Sequence, residues 1–291
     1  MELNHLEVTT APRAAATVVM LRDAADGLEV LMQKRHAASS VLGGAFVFPG
    51  GKLDPADTEL DMAAHLDQDP AALHAALGEP GLSPVEAAGL HVTALREAFE
   101  ESGLLLAHDV TKRLAELAAM RVTRGLSFNR LLADLSLRLD TGNLAPWSRW
   151  ITPKVPSVTS KRFDTRFFIA VVNDEVEVSH DNHEAVESVW VKPRAALASY
   201  WSGTMALAPP QIMSLAHLAR HGSAGSVLEE ARRRGPMLIE PHTCEIEGQR
   251  VVCYPGDERH AVRLRALPGP PRLVFRNSRF EPFDGFESFF G

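Results

Sequence analysis

Three glutamates lie close together at the end of one predicted helix, in residues 96–103 (Arg-Glu-Ala-Phe-Glu-Glu-Ser-Gly). Gly103 is typical of a residue that ends a helix, so Glu100 and Glu101 fall in its last turn and Glu97 one turn earlier. The helix dipole is negative there and the carboxylates repel one another, so each costs roughly 0.3–1 kcal/mol. A bound divalent cation reverses the sign of these energies. The pattern therefore predicts a metal site, with a solvated acidic helix face as the alternative.

The start of the same helix is indicated by Ser83, Pro84 and Glu86. A serine N-cap, a proline at the first helical position and a glutamate three residues after the cap form a capping box. We therefore predict one helix over residues 84–102. At about 100° per residue, the three glutamates lie opposite an apolar face. That face is formed by Val85, Ala88, Val92, Leu95 and Phe99.

A short apolar run in residues 46–54 precedes this helix and enters a Pro-Gly-Gly turn. Glycine permits backbone angles that other residues resist, so the run predicts a strand followed by a tight turn. By itself this segment indicates nothing more specific.

The turn and the helix end together resemble the Nudix box, whose pattern is Gly-x5-Glu-x7-Arg-Glu-U-x-Glu-Glu-x-Gly-U, where U is apolar. The second half of the pattern is matched at every specified position, with Ala98 as the small apolar residue. In the first half, Gly51 is followed at the required distance by Asp57, where the family has glutamate. Residues 58–95 stand where the family has a spacer of seven, so this chain carries a long insertion inside the box.

The split box resembles the coenzyme A diphosphatase branch of the Nudix superfamily, known from mammalian peroxisomes and from bacteria. The resemblance runs from about Ala15 to His221 and continues more loosely to about Asp257. The coenzyme A signature of related enzymes is matched by Arg35, Gly44 and residues 48–51, but the place of its second arginine is taken by Ser40. Further similar stretches are residues 150–153, 162–168, 190–193 and 207–210.

The resemblance implies a role for each residue of the box. Glu100, Glu101 and the Gly50 carbonyl are implied as ligands of Mg²⁺ or Mn²⁺, which prefer oxygen donors. Glu97 is implied as the general base or the group that orients the attacking water. Arg96 would hold the carboxylates in place by ion pairing.

Other implied site residues lie outside the helix end. Asp57 occupies the position of the first box glutamate but is one methylene shorter. A further acid often comes from outside the box, and Glu184 and Glu187 are the candidates here. Arginine and lysine side chains suit phosphate oxygens, so four cations are candidates for substrate binding. They are Arg35, Lys52, Arg162 and Arg166.

The composition is that of an ordinary soluble enzyme. The 291 residues carry a formal net charge of −7, which argues against a nucleic acid as the standing partner. We find no apolar run of about 18 residues and no secretory signal, and we therefore expect a cytoplasmic protein. The expected partner is a small nucleotide-derived substrate, and a homodimer is left open.

The resemblance implies an α/β fold, the Nudix α/β/α sandwich with a mixed β-sheet. We divide the chain into a Nudix domain, residues 1–225, with an inserted helical element at 58–82, and a β-rich C-terminal extension, residues 226–291. Local patterns predict strands at 16–22, 28–34, 164–172 and 187–192. They predict helices at 70–77, 113–120, 127–137, from 193 onward, and at 210–221.

The two cysteines flank a predicted hairpin. A two-residue turn at Gly248 and Gln249 would pair residue 247 with residue 250, and would place Cys244 opposite Cys253. We expect two free thiols, because the cytoplasm is reducing.

These patterns predict a metal-dependent hydrolase that cleaves a nucleoside diphosphate linked to another moiety, with coenzyme A or acyl-coenzyme A as the favoured substrate. An ADP-ribose or nucleotide-sugar pyrophosphatase is the enzymatic alternative. A nucleotide-sensing Nudix-like module without catalysis is the alternative of another class. The intact Arg-Glu-x-x-Glu-Glu set favours an enzyme.

Overall fold

The structure is a computed structural model and describes residues 3–4, 6–39, 42–156, 161–173, 178 and 185–291. An eight-stranded mixed sheet forms its centre. Strand β1 (Arg13–Ala24) pairs antiparallel with β2 (Gly27–Arg35) and parallel with β6 (Phe163–Val171). The other strands are β3 (Phe46–Val47), β4 (Gly50–Lys52), β5 (Leu144–Ile151), β7 (Ala185–Val191) and β8 (Met237–Ile239).

Helices cover both faces of this sheet. Along β1, Val18 and Met20 belong to one apolar core and Val19 and Leu21 to the other, as expected when successive strand residues point to opposite faces. The first core contains helix α4 (Pro84–Ser102), and the second contains helices α8 (Pro209–Leu218) and α9 (Ala224–Arg234). The predicted α/β/α sandwich is therefore confirmed. The other helices are α1 (Pro55–Thr58), α2 (Met62–His65), α3 (Pro70–Leu77), α5 (Lys112–Thr123), α6 (Phe128–Leu135) and α7 (Pro193–Ser202).

Helix α4 has the predicted bounds. The Ser83 hydroxyl accepts from the Glu86 N–H, the Glu86 carboxylate accepts from the Ser83 N–H, and Gly103 ends the helix with a φ of 74°. The predicted apolar and acidic faces of α4 agree less well with the structure. Val85 is largely exposed, whereas Glu101 is 5% exposed, because the acidic side of the helix lies against β4 instead of solvent.

The insertion is helical, as predicted, and is anchored to the sheet. Helix α3 begins after Asp69, ends at Gly78 and buries its leucines in the core that contains α4. The next residue, Glu79, accepts a hydrogen bond from Arg166 Nε at 2.9 Å and forms an ion pair with Arg149 at 2.8 Å. The insertion is thereby tied to strands β5 and β6.

The C-terminal part is rich in β structure but is not separate from the main sheet. Strand β8 pairs in parallel with β5 and so extends the central sheet. The remaining strands form a second, antiparallel sheet: β9 (His242–Ile246), β10 (Gln249–Cys253), β11 (Arg272–Arg276) and β12 (Arg279–Glu281). Val252, Leu273 and Phe280 from this sheet belong to the same apolar core as α8.

The predicted hairpin register is wrong by one position on each strand. Ile246 pairs with Gln249, so the turn residues are Glu247 and Gly248, with φ of 51° and 75°. A two-residue turn with both φ values positive favours glycine in its second position, which we had placed first. Cys244 therefore lies opposite Val251, and its sulfur is 3.8 Å from that of Cys253. Both thiols are free, as expected.

No helix among the described residues is long and apolar enough to cross a bilayer.

Candidate metal-dependent active site

Arg96 lies at the centre of an ion-pair cluster at the end of α4. Its Nε and Nη2 donate to the two carboxylate oxygens of Asp57 at 2.8 and 3.0 Å. Its Nη1 donates to Glu97 at 2.8 Å and to Glu100 at 2.9 Å. One guanidinium therefore holds three carboxylates of the box, as the resemblance implies.

Both carboxylate oxygens of Asp57 accept hydrogen bonds within this cluster. It is 1% exposed, and Oδ2 also accepts from the Thr93 hydroxyl at 2.8 Å and from the Asp54 N–H at 3.0 Å. The Asp54 contact belongs to the capping box that starts α1. The short side chain of Asp57 reaches Arg96 from the one-turn helix α1. Asp57 is therefore placed to orient Arg96, and the missing methylene does not break the arrangement.

The pKa of Arg96 follows from the same contacts. Burial alone lowers it, but the hydrogen bonds to Asp57 and the charges of Glu97, Asp57 and Glu100 outweigh burial and raise the pKa overall. Arg96 is therefore permanently cationic. Part of the carboxylate repulsion predicted from the sequence is offset by this cation.

Glu97 and Glu101 lie against strand β4. The Gly50 N–H donates to Glu101 Oε2 at 2.9 Å. A Cβ on Gly51 would clash with the Glu97 carboxylate, and a Cβ on Gly50 would lie 2.5 Å from the Ala16 carbonyl oxygen. Both glycines are therefore required by close approach. The Pro-Gly-Gly turn brings its backbone into contact with the acidic end of α4.

This donor set fits a hard divalent cation. The carboxylates of Glu97, Glu100 and Glu101 and the backbone of Gly50 offer oxygen donors only, which suits Mg²⁺ or Mn²⁺ better than a soft metal. Arg96 keeps two of these carboxylates at one end of the helix. A cation at this end would also compensate the negative pole of the helix dipole.

A cleft of about 390 Å³ opens in front of this cluster. Its wall includes Glu97 and the two glycines of β4, together with Arg35 and Lys52, two of the predicted substrate cations. Two more cations, Arg13 and Lys161, also line it. Neither was predicted: Arg13 is the first residue of β1 and belongs to no motif, and Lys161 lies just before the stretch 162–168, in which only the arginines were chosen.

Arg162 and Arg166, the other two predicted substrate cations, are not brought to the cleft. Arg166 is 3% exposed, and it pairs with Glu79 at 2.9 Å and with Asp164 at 3.2 Å. Arg162 is also buried and donates from Nε to the Thr152 carbonyl oxygen at 2.9 Å. Both arginines stabilise the fold instead of facing a substrate in this structure.

The two candidate acids outside the box differ in what can be said of them. Glu184 lies outside the described residues. Glu187 is half-exposed and faces Lys34 on the neighbouring strand, with 3.8 Å between Lys34 Nζ and the carboxylate. It is not among the residues that line the cleft.

Elsewhere in the described part of the chain, His217, His221 and Glu230 have ligand atoms within 4.8 Å of one another. The two histidines donate from Nε2 to the Glu230 carboxylate at 2.9 and 3.1 Å, and Arg234 lies 3.5 Å from it. Burial lowers the pKa of His217 to about 4 despite the nearby glutamate. Because Arg234 already compensates Glu230, this cluster joins α8 to α9 and is a poor cation site.

The comparisons with known proteins agree with the geometry of the box. A sequence model of the NUDT19 Nudix domain matches residues 82–218. The acyl-coenzyme A diphosphatase NUDT19 of Xenopus laevis is 31% identical over 274 residues, covering 79% of this chain and 70% of that protein. The chain belongs to the Nudix hydrolase family. The human protein of the same name is 30% identical, with 80% of this chain and 72% of that protein covered.

A solved structure supports the same assignment. The crystal structure of a Nudix hydrolase from Alicyclobacillus acidocaldarius superimposes with a TM-score of 0.63 at 29% identity. The match covers 76% of this chain and 97% of that one. This Nudix chain is accordingly a pyrophosphohydrolase, and dependence on a divalent metal is a general property of its family.

Proposed function

We propose that this Nudix hydrolase cleaves the diphosphate of coenzyme A or acyl-coenzyme A with the aid of Mg²⁺ or Mn²⁺. The observation that carries the proposal is one cleft lined both by the box residue Glu97 and by Arg35 and Lys52. Arg35 belongs to the stretch that resembles the coenzyme A signature. Relatives at about 30% identity over most of the chain bear the name acyl-coenzyme A diphosphatase.

The reaction adds water across a phosphoric anhydride. With coenzyme A, one P–O bond of the diphosphate breaks, and adenosine 3′,5′-diphosphate and 4′-phosphopantetheine are formed with release of a proton. Glu100, Glu101 and the Gly50 carbonyl are the residues that would hold the metal. When bound, a divalent cation screens the phosphate charge and polarises phosphorus.

Glu97 is the residue best placed to orient or deprotonate the attacking water. It is the box glutamate that lines the cleft, and Arg96 fixes one of its oxygens at 2.8 Å. A general base must lie within hydrogen-bond reach of the proton that it takes, and the position of the Glu97 carboxylate in the wall of the cleft supports this role.

Substrate binding depends on local cations because the protein as a whole is acidic, with a net charge of −7. Coenzyme A carries a diphosphate and a 3′-phosphate, and Arg35, Lys52, Arg13 and Lys161 supply positive charge around the cleft. Charge-assisted contacts to phosphate are among the strong hydrogen bonds of proteins. Lys161 and Arg13 replace Arg162 and Arg166 in our assignment of the substrate cations.

The purified protein should be assayed with Mg²⁺ or Mn²⁺ against coenzyme A, acyl-coenzyme A, ADP-ribose, nucleotide sugars and dinucleotides. We expect the highest kcat/KM for coenzyme A or its acyl derivatives, with the two products above identified by mass spectrometry. A chelator should abolish turnover. A higher kcat/KM for ADP-ribose or a nucleotide sugar would refute the substrate assignment, and binding without turnover of any substrate would favour the sensing module.

A further inference from the structure

A second cavity adjoins the cleft. It has a volume of about 190 Å³, and its walls are mainly aromatic, aliphatic and proline side chains. Five residues line both spaces: Thr17, Leu42, Phe163, Thr165 and Gln211. The two spaces are therefore neighbouring parts of one binding region. Together they fall within the roughly 300–1,000 Å³ that is usual for ligand pockets.

The two parts differ sharply in charge. The cleft is lined by four cations and Glu97, whereas no charged residue is among the described residues that line the second cavity. Its wall is formed chiefly by Trp150, Pro153, Phe167, Pro209, Pro210 and Val252. Phosphate groups should therefore bind in the cleft, and an uncharged part of the ligand should bind in the cavity.

Gln211 lies where the two spaces meet and has an unusual environment. It lies in the first turn of α8 and is 7% exposed. Its amide oxygen has no hydrogen-bond donor among the described residues. A buried acceptor without a donor is costly, so this oxygen calls for a donor that the described residues do not supply. Because Gln211 lines both spaces, an N–H group of a bound ligand would supply this donor.

Coenzyme A has two halves that match this division. Its nucleotide half carries the 3′-phosphate, and its pantetheine arm is uncharged, contains two amide N–H groups and ends in the thiol or thioester. Placing the adenosine in the cavity would bring the 3′-phosphate towards a wall without cations. Placing the arm there buries apolar atoms and leaves the charged half beside Arg35 and Lys52.

We propose that the apolar cavity binds the acylated pantetheine arm, and that Gln211 accepts a hydrogen bond from an amide N–H of that arm. This inference rests on the proposed function and adds to it a specificity-determining residue. It predicts an enzyme that recognises the thioester half of the substrate directly, instead of tolerating any group beyond the diphosphate.

The test measures the affinity of the two product halves separately. Wild-type protein and Gln211→Met are titrated calorimetrically, in the presence of Mg²⁺, with S-butyryl-4′-phosphopantetheine and with adenosine 3′,5′-diphosphate. Methionine keeps the volume of the side chain but cannot accept the hydrogen bond. We expect Gln211→Met to weaken binding of the acylated arm about three- to tenfold, with less than about a twofold change for the nucleotide.

Two further variants serve as a control for Gln211→Met and as a second test of the cavity. Gln249→Met makes the same exchange at an exposed hairpin position and should alter neither affinity. Ile151→Trp narrows the cavity from a partly exposed wall position, and should reduce kcat/KM for butyryl-coenzyme A more than for coenzyme A. Thermal unfolding of each variant confirms that it is folded.

The outcomes separate the two proposals. If Gln211→Met weakens nucleotide binding instead, the cavity holds the adenosine and the inference is wrong. If neither affinity changes, Gln211 does not contact the substrate and the inference is also wrong. In both cases hydrolysis of coenzyme A by the wild type would leave the proposed function intact, whereas its absence would remove the function and the inference together.

Discussion

The Asp57 contact to Arg96 predicts a large loss of stability when its charge is removed. Asp57 is 1% exposed and accepts from Arg96, Thr93 and Asp54, so Asp57→Asn places an amide N–H₂ against groups that are themselves donors. Removing one partner of a buried pair costs about 3–5 kcal/mol. Arg96 keeps its contacts to Glu97 and Glu100, so we expect a smaller loss than this range, about 2–3 kcal/mol.

The matched control changes another acid on the same guanidinium. Glu100 is 35% exposed on its side chain and pairs with Arg96 four residues earlier on α4, at 2.9 Å. Such exposed helical pairs contribute about 0.3–0.5 kcal/mol. Glu100→Gln should therefore leave stability nearly unchanged in metal-free buffer, because relief of carboxylate repulsion offsets the lost pair.

Both variants should be unfolded in urea at pH 7 with a chelator present, and the free energies of unfolding compared with wild type. Asp57→Asn should lower this free energy several times more than Glu100→Gln. Equal losses would refute the reasoning, because the two acids would then hold Arg96 equally well in spite of their different burial. A neutral Asp57→Asn would show that Thr93 and Asp54 do not depend on the carboxylate.

Three further predictions concern the metal, the substrate and pH. Glu101→Gln should keep the contact to the Gly50 N–H but lower kcat. The loss should exceed the roughly 10- to 100-fold that is usual when a residue hydrogen-bonded to a metal ligand is replaced. Near-normal turnover would contradict the role of Glu101 as a metal ligand. Arg35→Ala should weaken hydrolysis of coenzyme A about ten- to a hundredfold, and that of dephospho-coenzyme A much less; equal losses in steady-state assays would mean that Arg35 does not read the 3′-phosphate. Burial lowers the pKa of His91 from 6.5 to about 4 in spite of its hydrogen bond to the Ala87 carbonyl. Between pH 6.5 and pH 4 the unfolded chain therefore binds more protons than the folded one. The free energy of unfolding should fall by about 3 kcal/mol as the pH drops through this interval. His91→Leu should flatten this part of the curve of unfolding free energy against pH, and an unchanged slope would show that His91 does not titrate on unfolding.

Local signals explain why the sequence predicted α4 so accurately. Ser83, Glu86 and Gly103 cap the helix through contacts that span only three or four residues. Strand β5 was missed for an equally local reason. Pro146 interrupts its pattern, and the structure accommodates that proline at an irregularity in the pairing with β6.

Long-range contacts explain the residues whose roles the sequence could not predict. Arg166 was expected to bind phosphate, but its partner Glu79 lies in the insertion, far away along the chain. The residue type indicated a cation that binds an anion, but only the fold determines that this anion is the Glu79 carboxylate. Gln211 carries no motif at all, and its significance arises from two spaces that meet beside it.

Arg96 supplies one positive charge near the end of α4, where the carboxylates of Asp57, Glu97, Glu100 and Glu101 come together. The guanidinium gives two of its nitrogens to Asp57 and carries a single positive charge. Through Nη1 the same cation also offsets part of the charge of Glu97 and Glu100. Glu101 accepts a hydrogen bond from the Gly50 N–H at the same end of the helix. The acidic end of α4 thus keeps an excess of negative charge at the negative pole of the helix, which a divalent cation bound by oxygen ligands would compensate.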